Sequence, residues 1–160
     1  STQGYSSAAS DVYKRQYKTS AISTDPVNHE KMVRARQQKI DGIATDIPLL
    51  KVSGDSSADL LVVGWGGTYG HLYSAVEAMN AEGKPVAFAH FNYINPLPAN
   101  TEEILRRYKK VVVCELNNGQ FASYLSGKVP GVNFLRYNKI QAQPFMVSEL
   151  MAHFSKLLEE

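Results

Sequence analysis

From residue 47 onward the chain alternates, at nearly even spacing, between short apolar runs and stretches whose apolar residues recur every three or four positions. That alternation predicts right-handed βαβ units and a mostly parallel sheet covered on both faces. Ile47–Ser53, Asp59–Gly64, Pro85–Phe91, Lys110–Glu115 and Val132–Tyr137 read as strands. The runs are apolar without strict alternation, the pattern of strands buried on both sides. Between them, His71–Glu82 places Leu72, Ala75, Val76 and Met79 on one helical face, and Gly83 ends that helix. Asn100 with Glu103 forms a capping box that opens a helix through Tyr108. Gly119–Ser126 reads as a short helix. The last helix carries Val147, Leu150, Met151, Phe154, Leu157 and Leu158 as one stripe.

The front of the chain is different. Residues 1–20 are rich in Ser, Gln and Gly and poor in large aliphatic residues, so a mobile tail is expected. Ser6 to Gln16 looks like an adapter or cloning scar, and the chain does not begin with Met, so the natural protein is expected to start upstream. Residues 21–46 read as a connecting segment with one helix, Asn28 to Thr45, ending before Pro48. Met32, Val33, Ile40, Ile43, Ala44 and Ile47 make its apolar stripe; Lys31, Arg34 and Lys39 lie off it, as on a solvated face. Residues 47–160 form the α/β domain.

Charge and composition exclude several classes. Residues 1–46 hold seven of the 17 basic and five of the 15 acidic side chains, and the remainder balances, so the compact part is neutral. Nucleic acid is therefore not the expected partner, because phosphate binding needs concentrated positive charge. The longest apolar runs, Leu60–Val63 and Val111–Cys114, are far too short for a membrane span. Cys114 is the only cysteine, which rules out an intrachain disulfide and a multi-cysteine zinc or iron–sulfur site, and fits a reducing cytoplasm.

The motifs carry little chemistry. Gly64-Trp65-Gly66-Gly67-Thr68-Tyr69-Gly70 follows a strand and opens a helix, where a phosphate loop would sit. The third glycine of a dinucleotide fingerprint is missing, since Tyr69 stands there. The second strand ends His90-Phe91-Asn92 with no acidic residue for a ribose, and His71 follows Gly70 where a P-loop needs Lys. The glycines are read as turn residues. His29, His71, His90 and His153 are scattered, without metal-ligand spacing, and no G-x-S-x-G nucleophile elbow occurs. Glu115 ends a parallel strand, a position that suits catalysis or the capping of a following helix. Three loops that follow strands are dense in amides: Asn92–Pro98, Glu115–Gln120 and Asn138–Phe145. They share one edge of the sheet and form either a recognition surface or ordinary turns.

Read in order, several blocks resemble the end of the alpha subunit of 2-oxoglutarate (2-oxoacid):ferredoxin oxidoreductases. They are Asp25-Pro26 with Asn28-His29 and Met32-Val33; Asp46-Ile47-Pro48; Asp59 to Gly70; Asn95-Pro96-Leu97-Pro98; Glu115 with Asn117 and Gly119-Gln120; and Asn138 to Gln141 with Gln143-Pro144-Phe145. Gly67 stands where that family has Ser. The resemblance implies an α/β, three-layer αβα fold like the transketolase C-terminal domain. Its five-stranded, mostly parallel sheet would have order 1-3-2-4-5, with Ile47–Ser53 antiparallel at one edge. It implies a complex that decarboxylates a 2-oxoacid oxidatively, makes an acyl-CoA, reduces ferredoxin, and uses thiamine diphosphate, magnesium and iron–sulfur clusters. Implied partners are the upstream domains of the same subunit, a thiamine-binding beta subunit and ferredoxin. No catalytic, cofactor or metal residue carries over, so this chain alone is expected to be inactive. The alternatives are the C-terminal domain of another thiamine-dependent 2-oxoacid dehydrogenase beta subunit and a free-standing ligand-binding module. In the implied order the switch point lies between Gly64–Gly67 and Glu115–Asn118. It is expected to face another domain or subunit, with Asn117, Gln120, Asn138, Lys139 and Gln143 supplying hydrogen bonds.

Overall fold

The computed structural model describes residues 22–159; the expectations for the first 20 residues lie outside them. The chain divides into a segment ending at Ile47 and a compact unit beginning at Pro48.

The first segment is one helix, α1, Pro26–Ile43. It begins two residues before the expected start because Asp25-Pro26 is a cap followed by an N1 proline. The Asp25 carboxylate accepts from the Val27 and Asn28 N–H groups at 3.1 and 3.2 Å. Met32, Ile40 and Ala44 of the apolar stripe are half-buried, whereas Val33 and Ile43 remain exposed.

In the second unit the strands are β1 (Val52–Gly54), β2 (Leu60–Trp65), β3 (Val86–Phe91), β4 (Lys110–Glu115) and β5 (Phe134–Asn138). The order is β1-β3-β2-β4-β5, as expected. β2, β3, β4 and β5 are parallel to their neighbours, and β1 runs antiparallel to β3 at the edge. The helices are α2 (Tyr69–Ala81), α3 (Thr101–Arg106), α4 (Gln120–Lys128) and α5 (Val147–Glu159). A single 3₁₀ turn, Gly66–Thr68, leads into α2. Alternate side chains of the central strands feed two cores. Leu61, Val63, Ala87, Val111 and Val113 pack with Leu105, Phe121 and Leu125 of α3 and α4. Leu60, Val62, Phe88 and Val112 pack with Leu72, Met79, Leu150 and Phe154 of α2 and α5. The layers are therefore αβα.

One asparagine accounts for the main departures from expectation. Asn100 does not cap α3. Its amide instead accepts from the Leu50 N–H at 2.8 Å and donates to the Leu50 carbonyl at 3.0 Å. Glu103, the other half of the expected box, pairs with Arg107. The same clamp explains why β1 covers Val52–Gly54 rather than Ile47–Ser53: Pro48 has no N–H to offer, and the Leu50 backbone is taken by a side chain instead of by β3. Asn80 does the equivalent work at the opposite edge, pairing with both the N–H and the carbonyl of Val86. Asn100→Ala is expected to leave both Leu50 groups unpaired and to cost about 1–2 kcal/mol. The check is the thermal midpoint together with faster hydrogen exchange at Leu50.

Candidate functional site at the carboxyl edge of the sheet

The carboxyl ends of β2 and β4 diverge around the switch point, where open α/β sheets place their ligands. Glu115 ends β4 and is fully buried. Its Oε1 accepts from the Phe121 N–H at 2.8 Å and from Trp65 Nε1–H at 3.2 Å, and its Oε2 accepts from the Ala122 N–H at 3.0 Å. Glu115 is thus a capping carboxylate for α4, the second of the two roles its position allows. It also ties the end of β2 to the start of α4, because Trp65 rests its indole on Phe121 with ring centroids 5.8 Å apart. Thr68 closes the 3₁₀ turn: its hydroxyl accepts from the Trp65 N–H and donates to the Trp65 carbonyl. Next to Glu115, burial first and the adjacent carboxylate second push the Cys114 thiol far above its ordinary range.

Of the five residues expected to make contacts, Asn117, Gln120 and Asn138 come together around Gly119. The half-buried Asn117 Oδ1 accepts from the Gly119 and Gln120 N–H groups at 2.8 and 3.1 Å, so its oxygen serves the turn into α4. Gln120 and Asn138 are exposed, and the Asn138 amide lies over Gly119. Gln143 is exposed in the loop that follows β5.

Lys139 differs from expectation. Its ammonium donates to Glu149 Oε1 at 2.7 Å and to the Pro144 carbonyl at 2.9 Å, and only 12% of its side chain is exposed. Glu149 also accepts from the Met146 N–H at the start of α5. The Lys139 hydrogen bond, then that of Met146, hold the Glu149 carboxyl below its ordinary value. Lys139 therefore fastens the 139–146 loop onto α5 and has little left to offer a partner. Lys139→Ala is accordingly expected to lower the thermal midpoint of this chain by itself and to speed hydrogen exchange across 140–146. Because the Glu149 pKa is depressed in the folded state, its contribution is present above the ordinary carboxylate value and fades as pH falls through the lower folded one. An acid titration of the 140–146 amides should therefore show them loosening only once the pH falls below the ordinary carboxylate range.

The crevice at the switch point holds about 230 Å³, lined by Trp65, Gly66, Gly67, Thr68, Leu116 and Asn117. These residues do not fit thiamine diphosphate and magnesium. They offer no cation for a diphosphate, and the nearest carboxylate, Glu115, is buried against three N–H donors. A buried lone Cys114 does not fit an iron–sulfur cluster either. A wider hollow of about 570 Å³ lies toward β1, lined by Lys51, Tyr69, Phe88, His90 and Asn92 among others. His90 lines it together with the titratable Lys51 and Tyr69. Burial lowers the His90 pKa, partly offset by the Gly66 backbone, and its Nδ1 has no hydrogen-bond partner. Sequence reading set His90 aside as one of four scattered histidines.

Comparison with known proteins places this geometry. No protein-family model matches the chain. The 2-oxoglutarate oxidoreductase subunit KorA of Mycobacterium tuberculosis is 45% identical over 130 residues, 81% of this chain and 19% of that protein. The alpha subunit of 2-oxoacid:ferredoxin oxidoreductase 1 of Aeropyrum pernix is 31% identical over 137 residues, 81% of this chain and 21% of its own length. This chain therefore spans about a fifth of the curated relatives that it matches. Among solved structures, the 2-oxoglutarate:ferredoxin oxidoreductase of Magnetococcus marinus, determined with 2-oxoglutarate, coenzyme A and succinyl-CoA bound, superposes with a TM-score of 0.80 at 25% identity. The match covers 90% of this chain and 26% of that one. A split-gene transketolase shares the fold, with a TM-score of 0.51 at 13% identity over 68% of this chain and 41% of its own.

Proposed function

We propose that this chain, which is homologous over most of its length to the alpha subunits of 2-oxoacid:ferredoxin oxidoreductases, is the C-terminal structural and assembly domain of such a subunit. The complex it serves would decarboxylate a 2-oxoacid, 2-oxoglutarate above all, oxidatively with coenzyme A and pass electrons to ferredoxin in the cytoplasm. Thiamine diphosphate, magnesium and iron–sulfur clusters would be held by the other domains of the subunit and by a beta subunit.

The observation that carries this reading is the use to which Glu115 is put. In a sheet of this order the end of β4 borders the ligand-binding crevice. Here the carboxylate at that position is buried and accepts three N–H donors, so it reinforces the junction of β2, β4 and α4 instead of facing a substrate. The domain ties the ends of its strands to the helices that follow, and chemistry belongs elsewhere in the longer polypeptide. Among the described residues no helix is long and apolar enough to cross a membrane.

The reading is tested by calorimetry on this chain with thiamine diphosphate and magnesium, which is expected to give no heat of binding. Saturable binding in the micromolar range would overturn it. A fusion that places this chain after a relative's upstream sequence is expected to support 2-oxoacid-dependent ferredoxin reduction when supplied with the beta subunit.

A further inference from the structure

We infer that the carboxyl edge of the sheet is an apolar docking face, and that its occupant is an uncharged apolar surface of the longer polypeptide to which this domain belongs. The inference rests on the assembly reading above and names the surface and the chemistry of what covers it.

The large apolar side chains exposed within the α/β unit gather at one edge. Leu49 is 61% exposed, Tyr69 50%, Tyr93 45%, Leu116 41%, Ile140 67% and Met146 62%. Topology places all six together. Tyr93, Leu116 and Ile140 follow the ends of β3, β4 and β5, while Tyr69 and Met146 stand at the starts of α2 and α5, which run back from that edge. Leu49 precedes β1, which is antiparallel and so begins where β3 ends. Tyr73, the remaining one, stacks on Tyr69 one turn down α2. The opposite edge has the reverse character. Asp55, Asp59, Glu82, Lys84, Lys109 and Lys110 cluster there, several of them paired with one another. Scattered exposed apolar residues are ordinary on a protein surface, but their confinement to one edge is not.

Charge narrows the occupant. The carboxyl edge carries Lys139 and Glu149, which neutralise each other, and two further cations, Lys51 and Arg136, the latter beside Gly119. A strongly basic partner would be repelled there, and two separated cations are too few to hold a strongly acidic one. The glycines add an independent indication. A Cβ at Gly67 or Gly70 would meet nothing within 4 Å, and neither residue has a positive φ. Gly70 even weakens the first turn of α2 relative to alanine. Neither backbone conformation nor internal packing accounts for these two, whereas close approach of another surface does. The relatives supply the candidate, since about three-quarters or more of each lies outside the matched segment.

The experiment uses the full-length Mycobacterium tuberculosis subunit with its 130 matching residues replaced by those of this chain, expressed with its beta subunit. The pair Leu116→Asp and Ile140→Asp is compared with Lys84→Glu and Lys109→Glu at the opposite edge. The face is supported if the apolar-edge pair lowers the yield of assembled subunit at least about fivefold while the opposite-edge pair does not. In the isolated chain the apolar-edge pair should leave the thermal midpoint within about 1 °C, because both side chains are exposed there. Equal yields from both pairs would overturn the docking face and leave the domain assignment standing. Failure of the unmutated chimera to accumulate, where the native subunit does, would overturn the domain assignment itself. Sedimentation of the isolated chain as a dimer that the apolar-edge pair renders monomeric would show a second copy on this face and overturn the proposed occupant.

Discussion

Glu115→Ala is expected to destabilise this chain by about 3–5 kcal/mol. Three N–H donors converge on the carboxylate: the Trp65 indole and the backbones of Phe121 and Ala122. The site is closed to water, since Glu115 is fully buried and Phe121 and Ala122 are buried beside it. Removal of the acceptor therefore strands all three donors, each at about 1–3 kcal/mol, and leaves a void beside Phe121 that relaxation fills only in part. At this chain length the midpoint should fall by roughly 10–20 °C. Glu115→Gln separates the acceptor role from size. Its oxygen can keep two of the donors, but its NH₂ then faces the third, so an intermediate loss of about 1–3 kcal/mol is expected. Trp65 reports on the event directly, because its indole is held by Glu115 and packed on Phe121. Its fluorescence and near-ultraviolet circular dichroism should change in the alanine variant even below the midpoint. A loss under about 1 kcal/mol for Glu115→Ala would show that water reaches the site and that the carboxylate does not tie β2 to α4.

The parts of the fold legible in the sequence are those written by side-chain periodicity. Leu60–Val63 and Val111–Val113 have no polar residue on either face, and such runs fit only interior strands of a parallel sheet. The α5 stripe likewise announced a helix lying on one face. What periodicity does not encode is which backbone groups a polar side chain will satisfy. Asn100, three residues before a glutamate, has the spacing of a capping box, yet it pairs with Leu50, fifty residues earlier. Lys139 in an amide-rich loop looks available to a partner, and in this chain it pairs with Glu149, in the first turn of the next element. Both placements have the same source. A local pattern is consistent with several hydrogen-bond partners, and tertiary placement decides among them. The docking face was half legible for a related reason. The loops that build it stand out for their amides, but the exposed Leu49, Tyr69, Tyr93 and Leu116 become a surface only once strand order puts their loops side by side.

Gly64→Ala is expected to cost about 2 kcal/mol, and its contrast with three neighbouring glycines tests the reading of the whole motif. Four glycines within seven residues look alike in sequence and were read together as turn residues. The structure gives them different reasons to exist. Gly64 lies inside β2 with no positive φ, and an added Cβ would overlap Leu72 Cδ1 and stand 2.9 Å from Thr68 Oγ1. Leu72 is fully buried and Thr68 is already committed to both backbone groups of Trp65, so neither can yield freely. Gly64 is there to let α2 approach the sheet. Gly66 is the one that needs glycine for its backbone, at φ +59, and nothing crowds the missing side chain. Alanine there should cost only about 1 kcal/mol of left-handed strain. Gly67 and Gly70 face open space at ordinary φ. Gly70→Ala, within the first turn of α2, should stabilise the isolated chain by about 0.5–1 kcal/mol, and Gly67→Ala should be neutral or slightly favourable. Four midpoints measured in one series give the order: a clear fall for Gly64, a small fall for Gly66, no change or a rise for Gly67 and Gly70. A fall at Gly70 comparable to that at Gly64 would mean that the start of α2 packs more tightly than its geometry shows. A rise at Gly70 in the isolated chain, joined to lost assembly of the same variant in the full-length subunit, is the signature of a glycine kept for a neighbouring surface.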